Sequence, residues 1–329
     1  MPPLAVLVVE GCYVSCAAGF ADVLQAANAP LRQAPGNKRR PFDWSFVSQN
    51  GGPIIASNGM RVDTAPCDRR RFDIVVIPAI HYPGFKPFVR FLDQQVWIYS
   101  WLRTQWQADA WIGANCTGTF LLAQSGLLDG RTATTTWWLD RQFRSRYPKV
   151  KVHFRSALTE ADRLICAGAT ATYLLQAIRI VDRFMGPVIA TQCAKSMLID
   201  ISNTGHIPYL PLMTEMKHSD SVVERAQHWL QKNLAHDVSI AELARVLAVS
   251  ERSLSRRFAA AVDQSPLEYL QNLRLTAART LLEAGDMTVQ EIANHVGYSD
   301  TSSFSRLFRQ VVGASPGTYR RRFQIPGTA

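Results

Sequence analysis

Two hydrophobic patterns share this chain, and one replaces the other near residue 200. Before that point, short apolar runs alternate with longer stretches of helical spacing. Leu4–Val9, Trp44–Ser48, Phe72–Pro78 and Ala110–Ala114 are nearly continuous apolar segments, the pattern of strands buried on both faces. Between or after them, Gly19–Ala29, Phe88–Trp106 and Gly118–Ser125 repeat apolar residues every third or fourth position. Two further runs, Lys151–Phe154 and Leu164–Cys166, precede helical stretches at 170–185 and 187–201. Strands alternating with helices predict an α/β fold with a mostly parallel sheet sandwiched by helices. Around Asn203-Thr-Gly-His-Ile-Pro-Tyr-Leu-Pro-Leu212 the periodicity stops, and from Ser221 onward every segment reads as helix. The expected organisation is an α/β domain over 1–203, a linker over 204–219 and an all-α domain over 220–323.

The helical part contains one device twice. Ser239-Ile-Ala-Glu-Leu-Ala-Arg-Val-Leu-Ala-Val-Ser250 aligns with Thr288-Val-Gln-Glu-Ile-Ala-Asn-His-Val-Gly-Tyr-Ser299. Each copy opens with a hydroxyl residue and a Glu three positions on, a capping box that starts a helix. Each has a small mid-helix residue, Ala244 or Ala293, where a second helix can approach. Each turns through Ala248 or Gly297 into that second helix, whose inner face is Leu254 and Phe258 in one copy and Phe304 and Phe308 in the other. Both copies close on Ser-Pro-x-x-Tyr, at Ser265–Tyr269 and Ser315–Tyr319, a Ser cap with Pro at the first helical position. A helix, a short turn and an arginine-bearing second helix is the geometry that enters a DNA major groove. The outward positions are Arg252, Ser255 and Arg256 in the first copy, and Thr301, Ser302, Ser305 and Arg306 in the second. These seven are the candidate DNA contacts.

Charge adds less to this picture than its total suggests. The net charge is +10, yet residues 219–329 carry 13 Lys+Arg against 11 Asp+Glu. The excess lies in the first 218 residues, largely in Lys38-Arg39-Arg40 and Arg69-Arg70-Arg71, which read as solvated loops. Arg320-Arg321-Arg322 reads the same way, with phosphate contact as the alternative. No stretch is long and apolar enough to span a bilayer. The six cysteines have neither disulfide-framework nor zinc spacing, and no histidine shows metal spacing. The expectation is a cytoplasmic protein with no metal, no cofactor and no membrane contact.

Ala114-Asn-Cys116-Thr-Gly118 follows a strand and opens a helix, the pattern of a nucleophile elbow. A helix N-terminus behind Cys116 is expected to lower its thiol pKa. The alternatives at this point are a cysteine nucleophile and a pocket-lining thiol.

The stretch from Cys116 to Arg131, followed by Ala133-Thr-Thr-Thr-Trp137, resembles the ThiJ/PfpI branch of the amidotransferase-like (flavodoxin-like) fold. The tail, with Arg-Arg-Phe258, Ser-Pro-Leu-Glu-Tyr-Leu270, Arg274 and Gly-Tyr-Ser-Asp-Thr-Ser-Ser-Phe-Ser-Arg-Leu-Phe308, resembles the AraC/XylS regulators. Together they resemble the subfamily of transcriptional regulators that fuses these modules. Related enzymes carry a His where this chain has Thr136, and an acidic residue where it has Cys16. The resemblance therefore implies a regulator, more often an activator, rather than a hydrolase. It implies a double-stranded DNA operator, a homodimer, RNA polymerase as partner if it activates, and an amine- or amino-acid-derived effector such as arginine, carnitine or betaine. The candidate effector residues are Cys116, Thr117, Thr136, Trp137 and Trp138, with helix amides for a carboxylate and an indole face for a cationic nitrogen. The alternatives are a cysteine hydrolase or amidotransferase-like enzyme with an appended DNA module, and a DNA-bound scaffold whose first domain only dimerises.

Overall fold

The computed structural model describes residues 2–33, 41–67, 70–154, 156–201, 220–236, 238–262 and 264–324. The linker at 204–219, the run Lys38-Arg39-Arg40, Arg69 and His206 lie outside the described residues. The chain divides into two compact units, Met1–His206 and Ile207–Ala329.

In the first unit the order is β1 (Pro3–Leu7), α1 (Val14–Gln33), β2 (Asp43–Ser48), β3 (Asn50–Ile55), β4 (Arg61–Pro66), β5 (Ile74–Ile77), α2 (Phe85–Gln94), α3 (Val96–Gln107), β6 (Trp111–Asn115) and α4 (Gly118–Gln124). Then come β7 (Thr132–Ala133), a 3-10 turn at Trp137–Leu139, α5 (Asp140–Arg146), β8 (Lys151–Val152), β9 (Leu158–Ala161), β10 (Leu164–Ala167), a 3-10 turn at Thr170–Thr172, α6 (Tyr173–Met185) and α7 (Pro187–Ser196). The main sheet runs β3-β4-β2-β1-β5-β6-β10-β9. Only its edge pairs are antiparallel, β3 with β4 and β9 with β10. Strand side chains alternate between two cores. Ala5, Leu7, Val75 and Ile77 join the core under α2, α3, α4 and α5. Leu4, Val6, Ile74 and Val76 join the core under α1, α6 and α7. Burial on both faces is why these strands read as unbroken apolar runs.

Two expectations are corrected here. The stretch Phe88–Trp106 is two helices, not one, because Gln95 leaves helical geometry (φ −89, ψ 35). The buried residues are Phe88 and Leu92 in α2, then Ile98, Tyr99, Trp101, Leu102 and Gln105 in α3. An unbroken helix would instead carry the inner stripe onto Gln95 and Val96, and Val96 is 66% exposed. The hairpin of β3 and β4 has no counterpart in the hydrophobic pattern. Both strands lie at the sheet edge, much of their surface is solvated, and β3 opens on Asn50-Gly-Gly-Pro53.

The second unit contains α8 (Ser221–Asn233), α9 (Ile240–Val246), α10 (Glu251–Val262), α11 (Pro266–Ala284), α12 (Val289–His295), α13 (Thr301–Val312) and α14 (Pro316–Phe323). It has two cores. Val223, Ala226 and Leu230 of α8 pack with Leu243, Ala244, Leu254, Phe258 and Tyr269. Leu275, Ala278 and Leu282 of α11 pack with Ile292, Ala293, Phe304, Phe308 and Tyr319. The 19-residue α11 therefore serves the first core with its opening turns and the second with the rest.

Candidate functional site

The duplicated device folds as two helix-turn-helix units. Thr288 and Glu291 make the reciprocal capping box, with the Thr288 N–H donating to the Glu291 carboxylate at 2.6 Å. At Ser239 only half of the box forms, the Ser239 hydroxyl accepting from the Glu242 N–H at 3.0 Å. The turns match: Ala248 (φ 56) and Gly297 (φ 86) are both left-handed. Val249 N–H donates to Ala244 at 3.0 Å, and Tyr298 N–H donates to Ala293 at 2.9 Å. Ser250 caps α10 by accepting from Ser253 N–H, and Asp300 caps α13 by accepting from Ser302 and Ser303. Leu254, Phe258, Val262, Phe304, Phe308 and Val312 are buried, which turns the other face of each second helix outward.

On α10, Arg252, Ser255 and Arg256 are exposed. On α13, Ser302 and Arg306 are exposed, while Thr301 and Ser305 are half-buried. Thr301 donates its hydroxyl to Gln290 of α12, so its first role is to fasten the two helices. A shallow groove of about 450 Å³ is lined by Ser305, Arg306, Arg309, Gln310 and Ser315. Arg309 and Gln310 were not among the sequence candidates. The helical spacing that selected Arg306 also places Arg309, three residues on, along the same exposed side. Arg320 turns inward to the Met287 carbonyl, which leaves Arg321 and Arg322 as the exposed members of its run.

In the first unit the elbow forms as its residue types suggest. Cys116 has φ 53, and its N–H donates to Ala167 of the neighbouring β10 at 2.7 Å. Gly118 is required by close approach, because a Cβ there would stand 2.4 Å from the Pro78 carbonyl oxygen. Cys116, Thr117 and Thr136 are all buried. The Thr117 hydroxyl accepts from Ile80 N–H at 2.8 Å and donates to Ile80 O at 2.7 Å, so most of its capacity is spent on the backbone. Thr135 donates to the Cys116 carbonyl at 2.9 Å.

Hydroxyls and another thiol surround the Cys116 sulfur. Thr170 Oγ1 lies 3.7 Å away, and the buried Cys16 packs against Cys116. Thr136 Oγ1 stands close enough to favour a thiolate, yet it is buried without a partner of good hydrogen-bond geometry. Burial dominates: it raises the Cys116 pKa, while the contacts from Thr170, the Thr117 backbone, Thr136 and the Thr117 hydroxyl lower it by less. The expectation of a lowered pKa is thus corrected, because desolvation outweighs the start of a short helix. Cys16 is itself pushed up to about 12 by burial first. Thr170 was missed from the sequence, although its place just beyond the carboxyl end of β10 is where parallel sheets gather functional residues. Trp137 and Trp138 pack edge to face at 5.4 Å in the turn after Thr136, with Trp138 exposed. Among the described residues, no three His, Cys, Asp or Glu side chains are grouped to hold a metal. Among these residues, too, no helix is long and apolar enough to cross a membrane.

A flavodoxin-like unit followed by two helix-turn-helix motifs defines a DNA-binding transcriptional regulator with an appended α/β domain. The DJ-1/PfpI family matches residues 22–179, and a helix-turn-helix domain family of the AraC type matches residues 243–322. The transcriptional regulator CdhR of Pseudomonas aeruginosa is 30% identical over 305 residues, 92% of this chain and 87% of that protein. GbdR of the same organism is 26% identical, covering 91% of this chain and 80% of that protein. The chain belongs to the HTH-type transcriptional regulators that join a DJ-1/PfpI domain to an AraC-type helix-turn-helix domain. A solved protein of Vibrio parahaemolyticus superposes with a TM-score of 0.52 at 18% identity, over 60% of this chain and 98% of that one, a likeness of fold.

Proposed function

We propose that this transcriptional regulator binds a specific operator through α10 and α13, and that a small molecule held in the first unit controls it. The observation that carries the DNA reading is the pair of exposed faces, Arg252-Ser255-Arg256 and Ser302-Arg306, on the second helices of two equivalent motifs. Ser305 flanks Arg306, and Thr301 supports α13 from its bond to Gln290. An arginine that pairs bidentately with guanine contributes about 1–3 kcal/mol of discrimination. Arg256→Ala and Arg306→Ala are each expected to weaken operator binding about tenfold or more, with melting temperatures unchanged. Wild-type affinity in both variants, read by fluorescence anisotropy, would remove these faces from the DNA interface.

The effector site we place at the elbow. Two buried oxygens there lack a partner of good hydrogen-bond geometry, Asn115 Oδ1 and Thr136 Oγ1, and an unsatisfied buried acceptor is costly unless a ligand or water completes it. Trp137 and Trp138 stand beside Thr136, and an exposed indole suits a cationic nitrogen. Cys116 and Thr117 then shape the floor of the site rather than react. A thiol with a raised pKa, faced by hydroxyls and a second thiol, has no group to take its proton, so the protein acts as a regulator and not a hydrolase. Activation through RNA polymerase, homodimerisation and an amine- or amino-acid-derived effector complete the reading, all three drawn from the family resemblance. The near-complete burial of Cys116 favours one competitor, in which the first unit only pairs two chains. Titration of zwitterionic amines against wild type, Trp137→Ala and Cys116→Phe separates the two. Loss of binding in the variants supports the elbow site, and equal binding in all three places the effector elsewhere.

A further inference from the structure

Each of the two outward-facing helices is tied to a different end of α8. At the N-terminal end, one oxygen of Asp220 caps α8 by accepting from Val222 and Val223 N–H groups at 2.9 and 3.1 Å. Its other oxygen takes Arg257 Nη1 of α10 at 2.9 Å. Arg257 adjoins Arg256 in sequence but is directed into this ion pair instead of outward.

At the other end, Arg274 of α11 donates Nε to the Leu234 carbonyl at 2.8 Å and Nη2 to the His236 carbonyl at 2.7 Å. These are carbonyls of the kind that a helix end leaves without partners. The same guanidinium lies over the Tyr298 ring, 5.2 Å from its centre. Tyr298 in turn packs on Phe304, the inner face of α13, at 5.5 Å between ring centres. Gly297 keeps the passage open, since a Cβ there would stand 2.8 Å from the Leu234 oxygen and 2.9 Å from Arg274 Nη2. The Leu234 side chain packs against both cores of the unit.

We propose that α8 is a strut that fixes the separation and mutual angle of α10 and α13, with Arg257 and Arg274 as positioning residues at its two ends. The proposal rests on the reading that both of these helices enter DNA. The physical need for a strut is rotational. The two cores are joined covalently by α11, which leaves twist of one core against the other about that axis as a motion to be restrained. A second attachment off that axis suppresses the twist, and α8, 13 residues and roughly 20 Å long, supplies it. Arginine suits the C-terminal end because its planar fork reaches two carbonyls while its face stacks on Tyr298, and lysine could not do both.

A fixed angle has a consequence in binding. One base pair inserted between two half-sites rotates one of them by about 35° and shifts it by about 3.4 Å. A rigid pair of helices cannot follow that change, whereas a loosened pair can.

The test uses the full-length chain and a fluorescent duplex enriched by that chain from a random pool, together with versions one base pair longer or shorter between half-sites and each half-site alone. Wild type is expected to lose about tenfold or more in affinity on either spacing change. Arg274→Lys and Asp220→Asn are expected to bind the original spacing about tenfold more weakly, differ less than about threefold among spacings, and match wild type on single half-sites. Asp220→Asn keeps the capping oxygen of α8 and turns an amide NH2 toward Arg257, removing both the charge and the acceptor there, so it carries the test if Arg274→Lys melts early. Variants that keep the wild-type spacing preference, or lose half-site and full-site binding equally, overturn the strut. A wild type that protects only one groove overturns the two-helix reading, and the strut with it.

Discussion

Gly118 and Gly297 are specified by what lies against them. At Gly118 a side chain would strike the Pro78 carbonyl oxygen, so the helix after the elbow can sit close to β5 only with glycine there. Gly297 combines a left-handed φ of 86 with close contact to the end of α8. Its counterpart Ala248 tolerates the same handedness, so crowding is the larger constraint at Gly297. Gly297→Ala is expected to destabilise the second unit by about 2 kcal/mol or more, the cost of αL backbone plus displaced neighbours. Thermal melting of wild type and variant measures it, and a loss under about 0.5 kcal/mol would contradict the crowding argument. At Cys116 burial keeps the thiol protonated near neutrality. Its alkylation by iodoacetamide at pH 7 is therefore expected to lag well behind that of a solvated cysteine, since the thiolate is the nucleophile. Cys116→Ala should leave operator affinity unaltered. Fast, Cys116-directed labelling in the native protein, read by mass spectrometry, would contradict the assignment of a buried and inert thiol.

Four helices of the second unit carry a carboxylate in their caps or capping boxes, and this makes their stability depend on pH. Hydrogen bonds from Val223 and other helix-start amides, with Arg257 beside it, hold Asp220 below the ordinary carboxylate range. The Ser265 N–H lowers Glu268, the Thr288 N–H lowers Glu291, and Ser303 and Ser302 lower Asp300. A depressed folded pKa contributes stability that is complete above the unfolded value, about 4, and is lost as pH falls through the lower folded value. The melting temperature of the second unit is thus expected to hold from neutrality down to about pH 5 and to fall below about pH 4. A melting temperature that rises on acidification would refute the role of these caps. Helix caps also made this half of the chain legible, because Ser239, Thr288, Ser265 and Ser315 mark helix starts with local chemistry that owes little to tertiary context. The sheet was legible where it is buried on both faces and illegible at its edge. Strands β3 and β4 show water much of their surface, so no apolar run announces them. The break at Gln95 was hidden for a related reason: it is set by the direction of the inner stripe and not by a proline or glycine.

For the whole molecule, the location of the elbow was readable, but its enclosure was not. The small residues around Cys116 predicted a sharp strand-to-helix turn, and the turn is present. What covers the sulfur comes from Thr170 and Cys16, 54 and 100 positions away, which no local pattern connects. Net charge was equally poor as a guide to the partner, since the DNA-binding unit is close to neutral. Its affinity must rest on where a few arginines stand, and their placement makes a definite prediction about the footprint. The spine α11 has 19 residues, about 28 Å of helix. Successive major grooves on one face of straight DNA lie about 34 Å apart. Two helix-turn-helix units built on one spine and braced against each other cannot freely extend to meet that spacing, so the DNA must supply part of the fit by curving toward the protein. Bending a site of this length by some tens of degrees costs a few kcal/mol, on the order of 1–6, and favours flexible pyrimidine–purine steps between the two half-sites. Hydroxyl-radical footprints are expected to show two protected patches per chain, one helical turn apart on one face, and circular-permutation gels to show a bend between them. A single protected groove per chain, or two grooves on DNA that remains straight, would mean that the two recognition helices do not act as one braced pair.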